Sequence, residues 1–267
     1  MSRVLRMTVL VFFLLYFLLP LLWLVTAPFC SQPSMRLEWP DWTLANFAAL
    51  GQARGAFAAF GNSIWISAVT MVLVALCSTP ASYTLSRYQF KGRDLMMSGL
   101  LLFSSVVTGV AAIVPLFIIT LRLGLLDTLT GIILVMAGGM LPSALFMMKD
   151  FVETLPRAYE EASLMDGATP WETFKNIAWP LLTGGTAVVG LLTFVNAWGN
   201  FLVPYILTRS PEKAPAAVAI YSFFSQTGLP LYNQVAAYSL LYTLPVLILY
   251  LLLQKVYGFQ LHGGIKG

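Results

Sequence analysis

Residues 149–180 read KDFVETLPRAYEEASLMDGATPWETFKNIAWP, a charge-rich segment set between two apolar runs. Pro156 suits a first helical position, and the turns from Arg157 to Met165 bring Ala158, Ala162 and Met165 onto one face at three- and four-residue spacing. Gly167 then permits a left-handed stop. Thr169-Pro170-Trp171-Glu172 is a capping box with proline at N1, so a second helix starts there. Trp171, Phe174 and Ile177 recur on one side of it, and it leads through Pro180 into the next apolar run. Two capped amphipathic helices and a turn form a shape suited to docking against another protein, whereas an idle linker has no need of caps.

Working outward, the rest of the chain is apolar. It has 267 residues, 58% of them hydrophobic and 10% charged, against roughly 45–50% hydrophobic in soluble domains. The charges Arg6 and Arg36, Arg54 and Arg87, Asp94 and Arg122, Asp127 and Lys149, Lys175 and Arg209, and Lys213 and Lys255 enclose 29, 32, 27, 21, 33 and 41 uncharged residues. A helix needs about 20 apolar residues to cross a bilayer. Six such gaps predict an all-α integral membrane protein, one transmembrane domain over 1–267, with helices at about 7–27, 61–86, 95–121, 129–148, 181–206 and 235–254. The loop 149–180 lies between helices 4 and 5.

The positive residues set the orientation. With the N-terminus inside, Arg3, Arg6, Arg87, Lys91, Arg93, Lys149, Arg157, Lys175, Lys255 and Lys266 are cytoplasmic, and Arg36, Arg54, Arg122, Arg209 and Lys213 are external. Ten against five obeys the positive-inside bias, with both termini cytoplasmic. Residues 28–60 read as an irregular external loop touching the interface, and Ala216 to Phe224 as a short re-entrant or interfacial helix. The apolar N-terminal run exceeds a typical signal h-region and lacks a small-x-small cleavage site, so it reads as helix 1.

Several classes fall away. The net charge of +4 sits between spans and makes no basic stripe, so nucleic acid is not an expected partner. No G-x4-G-K-[ST] occurs. The lone His262 has no ligand cluster, so no metal is expected, and Cys30 and Cys77 read as free thiols. Pro80, Pro115, Pro142, Pro204 and Pro245, with Gly109, Gly138, Gly139, Gly184, Gly185 and Gly190, place breakers and small residues inside spans, as close helix packing requires. Asn196, Trp198 and Asn200 in helix 5 must face protein or water, since uncompensated amides are costly in hydrocarbon. They suit sugar hydroxyls and rings, or interhelical hydrogen bonds; Tyr238 and Tyr242, four apart in helix 6, stand as further candidates for the same cavity.

Glu161-Ala162-Ser163, three residues, Gly167, nine residues, then Ile177-Ala178-Trp179-Pro180 resembles the EAA loop of ABC-importer permeases, E-A-A-x3-G-x9-I-x-L-P. Ser163 stands where that family usually has Ala, and Trp179 where it has Leu. Asn62-Ser63, Arg87-Tyr88-Gln89-Phe90-Lys91-Gly92-Arg93, Ala197-Trp198-Gly199-Asn200-Phe201 and the Lys266-Gly267 ending extend the likeness to the second permease subunit of the maltose-type carbohydrate-uptake branch. The resemblance implies the type I importer permease fold, with a cytoplasmic coupling helix between helices 4 and 5. It implies that Glu160, Glu161, Ala162, Ser163, Asp166, Gly167 and Ala168 dock on an ATPase subunit, with Glu161 as the charged contact. It further implies a second homologous permease, two ATPase subunits that bind ATP and Mg, an external solute-binding protein, and a prokaryotic plasma (inner) membrane around the assembly. The chain itself is then no enzyme and needs no cofactor. A self-contained secondary transporter or channel is the competing reading, against which stand the absence of inverted halves and of an intramembrane ionisable relay. An intramembrane enzyme would need a nucleophile and base or metal ligands in the spans, and none stands out.

Overall fold

A computed structural model describes residues 3–32, 36–52, 55–107, 112–223 and 231–257, and those residues contain no strand. In chain order the helices are α1 (Arg3–Thr26), α2 (Ala45–Gln52), α3 (Ala56–Arg87), α4 (Arg93–Val107), α5 (Ile113–Arg122), α6 (Leu129–Thr154), α7 (Arg157–Met165), α8 (Pro170–Thr173), α9 (Trp179–Trp198), α10 (Leu202–Leu207), α11 (Ala216–Ala219) and α12 (Tyr232–Tyr257). Five are long and apolar enough to cross a membrane: α1, α3, α6, the rod from Pro170 to Trp198, and α12. The third expected span, 95–121, is occupied by α4 and α5, and residues 108–111 between them lie outside the described residues.

The centre is built from α3, α6 and α9. Towards the end that bears α7 their core holds Val74, Tyr83, Met148, Val152, Phe174 and Leu182; towards the other end it holds Ile66, Ile132, Met136 and Ala197. The reason they approach so closely is the buried stripe of α3. Ser63, Ser67, Thr70, Val74, Ser78, Ser82 and Ser86 recur every three or four residues and are buried. Small side chains at that spacing let backbones come together. Thr79 and Thr186 also bring their hydroxyls within 3.2 Å across α3 and α9. A hydroxyl bond between membrane helices contributes on the order of 0.6 kcal/mol, so the close packing matters more than the bond.

Several helix ends differ from expectation: α3 begins at Ala56 rather than 61, and α6 runs on to Thr154, six residues into the expected 149–180 loop. The fifth span does not run unbroken to 206: α9 stops at Trp198 and α10 begins at Leu202. Phe201 is the N-cap of α10, and Asn200 just before it accepts the Val203 N–H on Oδ1 at 3.1 Å, which favours a fresh helix start over continuing α9. Pro156 is the N-cap of α7 with extended ψ of 125°, rather than its first helical residue. The 28–60 segment is not wholly irregular, for it contains α2. Ala216 to Phe223 is a short helical turn, α11 followed by a 3-10 segment, as the apolar stretch suggested; Phe224 lies outside the described residues, as do Gly109, His262, Lys266 and Gly267.

A second, outer layer packs α2, α11 and α12 around Leu50, Ala216 and Tyr238. Asn233 is buried there and donates to the carbonyls of Cys30 (2.7 Å) and Gln32 (2.8 Å), tying the start of α12 to the chain just beyond α1. Asn62 donates to the Glu212 (2.9 Å) and Ala214 (3.3 Å) carbonyls, and Ser63 Oγ accepts the Ala216 N–H at 2.7 Å. The opening of α3 thus holds the 212–216 loop. Cys30 is buried and Cys77 exposed, both as free thiols.

Candidate functional site

The segment 157–173 folds as the capping residues dictate. At the end of α7, Gly167 adopts φ +86°, its N–H donates to the Leu164 carbonyl (3.1 Å), and the Ala168 N–H donates to the Ser163 carbonyl (3.1 Å). That pair of bonds is a Schellman ending. Thr169 Oγ1 accepts the Glu172 N–H at 3.3 Å while the Glu172 carboxylate accepts the Thr169 N–H at 2.7 Å, completing the capping box. Ser163 Oγ and Thr173 Oγ1, 3.1 Å apart, fasten the two helices together. From Phe174 to Ala178 the helix widens to π geometry before entering α9 at Trp179. The cause lies at Pro180, which has no N–H to give and whose ring would press on the carbonyl four residues back.

This unit is held to the membrane helices from one side. Arg87, at the end of α3, donates Nε–H to Glu160 (2.9 Å) and NH2 protons to the carbonyls of Val152 (3.0 Å) and Leu155 (2.8 Å). The side chains of Arg87 and Glu160 are 7% and 12% exposed. Depriving such a pair of one partner costs about 3–5 kcal/mol, because the other is left charged and unpaired. Tyr83, one turn earlier, packs its ring on Phe174 with centroids 5.0 Å apart.

The opposite side has no such cover. Met165 is 89% exposed and Trp171 66%, with Tyr159 and Leu164 also exposed. Glu161, Ala162, Asp166 and Gly167 share that surface, while Ser163 and Ala168 are half-buried. Of the expected docking residues, Glu160 stands apart: it turns inward to Arg87, and Glu161, about 100° further round the helix, faces out. Large apolar side chains exposed in the most polar part of a membrane protein mark a contact surface.

The candidates for a translocation path separate differently. Trp198 and Tyr242 hold each other: Trp198 Nε1–H donates to the Tyr242 carbonyl at 3.1 Å, and the Tyr242 hydroxyl donates to the Trp198 carbonyl. Tyr238 is 1% exposed and donates to the Ala216 carbonyl at 2.9 Å. Asn200 accepts the Val203 N–H at the start of α10. These four are engaged in packing, since sheltered N–H and O–H groups must find acceptors within the protein. Asn196 alone of the five is exposed; its Nδ2 donates to the Leu192 carbonyl (2.8 Å), and it borders a hollow between α6 and α9 with Met140 and Ser143.

One hub had no sequence signal. Asp127, between α5 and α6, has φ +57°. Its Oδ1 accepts the N–H groups of Arg209 (2.9 Å) and Ser210 (3.0 Å), and its Oδ2 accepts the Ser210 hydroxyl (2.6 Å) and Lys213 Nζ (3.1 Å). The Ser210 hydroxyl foremost, then the Ser210 and Arg209 N–H groups, hold the carboxyl well below the usual carboxylate range. An isolated Asp beside an apolar run carries no pattern, but the turn sequence Arg209-Ser210-Pro211 facing it is the partner such a residue needs. Among the described residues no cluster of three or more His, Cys, Asp or Glu is placed to hold a metal ion.

Comparison with known proteins gives one answer. A family model described as the binding-protein-dependent transport system inner membrane component matches residues 1–259. The trehalose transport system permease protein SugB of Mycobacterium tuberculosis (strain CDC 1551 / Oshkosh) is 30% identical over 258 residues, 94% of this chain and 93% of SugB. The maltodextrin transport system permease protein MdxG of Bacillus subtilis (strain 168) is 32% identical over 228 residues, 85% of this chain and 82% of MdxG. A chain from the crystal structure of a bacterial ABC transporter involved in the import of the acidic polysaccharide alginate matches with a TM-score of 0.82 at 21% identity, over 96% of this chain and 99% of that one. At that identity the likeness is one of fold.

Proposed function

Because the chain belongs to the family of binding-protein-dependent transport system inner membrane components, we propose that it is one of two homologous permeases in an ATP-driven importer of a sugar or a related polyol or oligosaccharide. It is a multi-pass membrane transport subunit rather than an enzyme. In this reading ATP and Mg are bound by two partner ATPase subunits, and an external binding protein delivers the solute. The carbohydrate class is supported by relatives named for trehalose and maltodextrin transport. Asn196, exposed beside Ser143, is the residue of this chain best placed to meet a solute hydroxyl.

The observation that carries the coupling role is the outward surface of α7 and α8, where Glu161, Met165 and Trp171 surround the Gly167 turn. An ATPase that grips this surface and moves it would swing the α8–α9 rod, switching the cavity between outward and inward access. Gly167 supplies the test. A Cβ there meets nothing within 4 Å in this chain, and its φ of +86° strains any residue that carries a side chain, Asn and Asp least. Gly167→Asp therefore strains one exposed turn without a clash inside the chain, so membrane insertion is kept while the added side chain obstructs a closely docked partner, and transport-coupled ATP hydrolysis in the purified complex falls. Intact coupling in that variant, or solute movement by the chain alone in liposomes without ATPase subunits, would overturn the proposal.

A further inference from the structure

Between α6 and α7 the chain has no rigid link. Leu155 and Pro156 are both extended, with ψ of 127° and 125°, so helical hydrogen bonding stops at the end of α6 and restarts at Arg157. A push on α7 would swing it about this joint unless something braces it. Downstream the situation is reversed, because α8, the π segment and α9 form one continuous rod. Motion of α7 and α8 therefore reaches α9 directly, yet has no covalent path of comparable stiffness to α3 and α6.

Arg87 supplies the missing brace. One guanidinium, fixed at the end of α3, spans the joint: it donates to Val152 and Leu155 carbonyls on the α6 side and to Glu160 on the α7 side. The planar fork of arginine satisfies three acceptors in fixed geometry, which a lysine point charge does not reproduce. Tyr83 lies on the same face of α3, four residues earlier, and bears on Phe174 in the π segment. Two residues one turn apart on α3 thus contact the end of α6, α7 and the entrance to α9.

We propose that Arg87 is a positioning residue for energy coupling, the point through which displacement of α7 is carried into α3 and α6 so that they move together with α9. This rests on the coupling role proposed above for α7. Arg87 itself touches neither solute nor nucleotide; it acts through Glu160 and the two carbonyls.

The test uses the complete complex, with both permeases, the ATPase subunits and the binding protein, in proteoliposomes. The measurement is the ratio of binding-protein-stimulated to basal ATP hydrolysis, together with solute moved per ATP. Arg87→Met lowers both by about tenfold or more, within the usual range of coupling between distant sites. Glu160→Gln keeps an acceptor for Nε–H and lowers them less, by roughly two- to fivefold. Arg87→Lys falls between. The charge exchange Arg87→Glu with Glu160→Arg stays uncoupled, because glutamate at 87 has no proton for the Val152 and Leu155 carbonyls; a plain ion pair would be restored by it. Wild-type ratios in Arg87→Met, or restoration by the exchange, overturn the proposal. Should Arg87→Met fail to assemble, Glu160→Gln decides, and a wild-type ratio there overturns it equally. A wild-type complex with no stimulation at all would instead remove the coupling role of α7; normal stimulation in wild type and variants alike would remove only the role of Arg87.

Discussion

Asp127 gathers hydrogen bonds from Arg209, Ser210 and Lys213 in a loop that contributes nothing to the spans. Its carboxyl titrates lower in the folded protein than in the unfolded chain. The sign follows: the clamp's contribution is complete at pH above about 4, the ordinary Asp value, and declines as pH falls from there towards the folded value. Limited proteolysis of the 207–213 loop in oriented vesicles should therefore show full protection at neutral pH that begins to weaken below about pH 4 and goes on falling as the medium is made more acid. Asp127→Asn should be cleaved at pH 7 already, with a much flatter acid dependence. At this scale legibility depended on whether a residue's role was local. Gly167, Thr169 and Glu172 were readable because turn and cap act within a few residues. Asp127 was not, since its partners lie more than 80 positions away. Glu160 and Glu161 look alike in sequence, and only the direction each takes around α7 separates the carboxylate paired with Arg87 from the exposed one.

At the level of elements, the glycines of α9 illustrate how packing was partly foreseen. Small residues in the spans pointed to close helix contacts, and Gly185 makes one: a Cβ there would lie 2.6 Å from Phe151 Cγ on α6. Gly190 faces Met71 at an easier 3.4 Å, and Gly138, Gly139 and Gly184 have nothing within 4 Å. The base of the Phe151 ring has little room to retreat, so Gly185→Ala should destabilise the α6–α9 pair by about 1–3 kcal/mol. Gly184→Ala should stay within about 0.5 kcal/mol. Detergent-solubilised thermal unfolding of the two variants compares them directly, and equal midpoints would contradict the packing assigned to Gly185. The serine and threonine stripe of α3 was equally present in the sequence, but its period was masked by the apolar residues between, which make the helix greasy all round. The break at Gly199 was hidden for the opposite reason: hydropathy continues through Phe201 to Leu207, and only the Asn200 side chain betrays the new helix start.

For the whole molecule, charge counting yields an orientation that single-cysteine labelling can check. With Cys30 and Cys77 both replaced by serine, Glu212→Cys should react with a membrane-impermeant maleimide on intact spheroplasts. Met165→Cys should react only after permeabilisation; the reverse pattern would place the α7 surface outside and invalidate the topology. Six spans were expected from the charge gaps, and five appear as long helices; the remaining gap is filled by α4 and α5. What no linear reading supplied is which helices are neighbours. Helix α1 finds its intramolecular support in α12 and in the turn Ala27–Phe29, and none of its span is buried within the chain. The consequence concerns biosynthesis. Helix α1 leaves the ribosome some 200 residues ahead of α12, the helix it packs on, which at roughly 5–20 residues per second is a delay of about ten seconds or more. Through that interval nascent α1 is a guest of lipid or of the insertion machinery, and a chain arrested before Tyr232 would release it unclaimed.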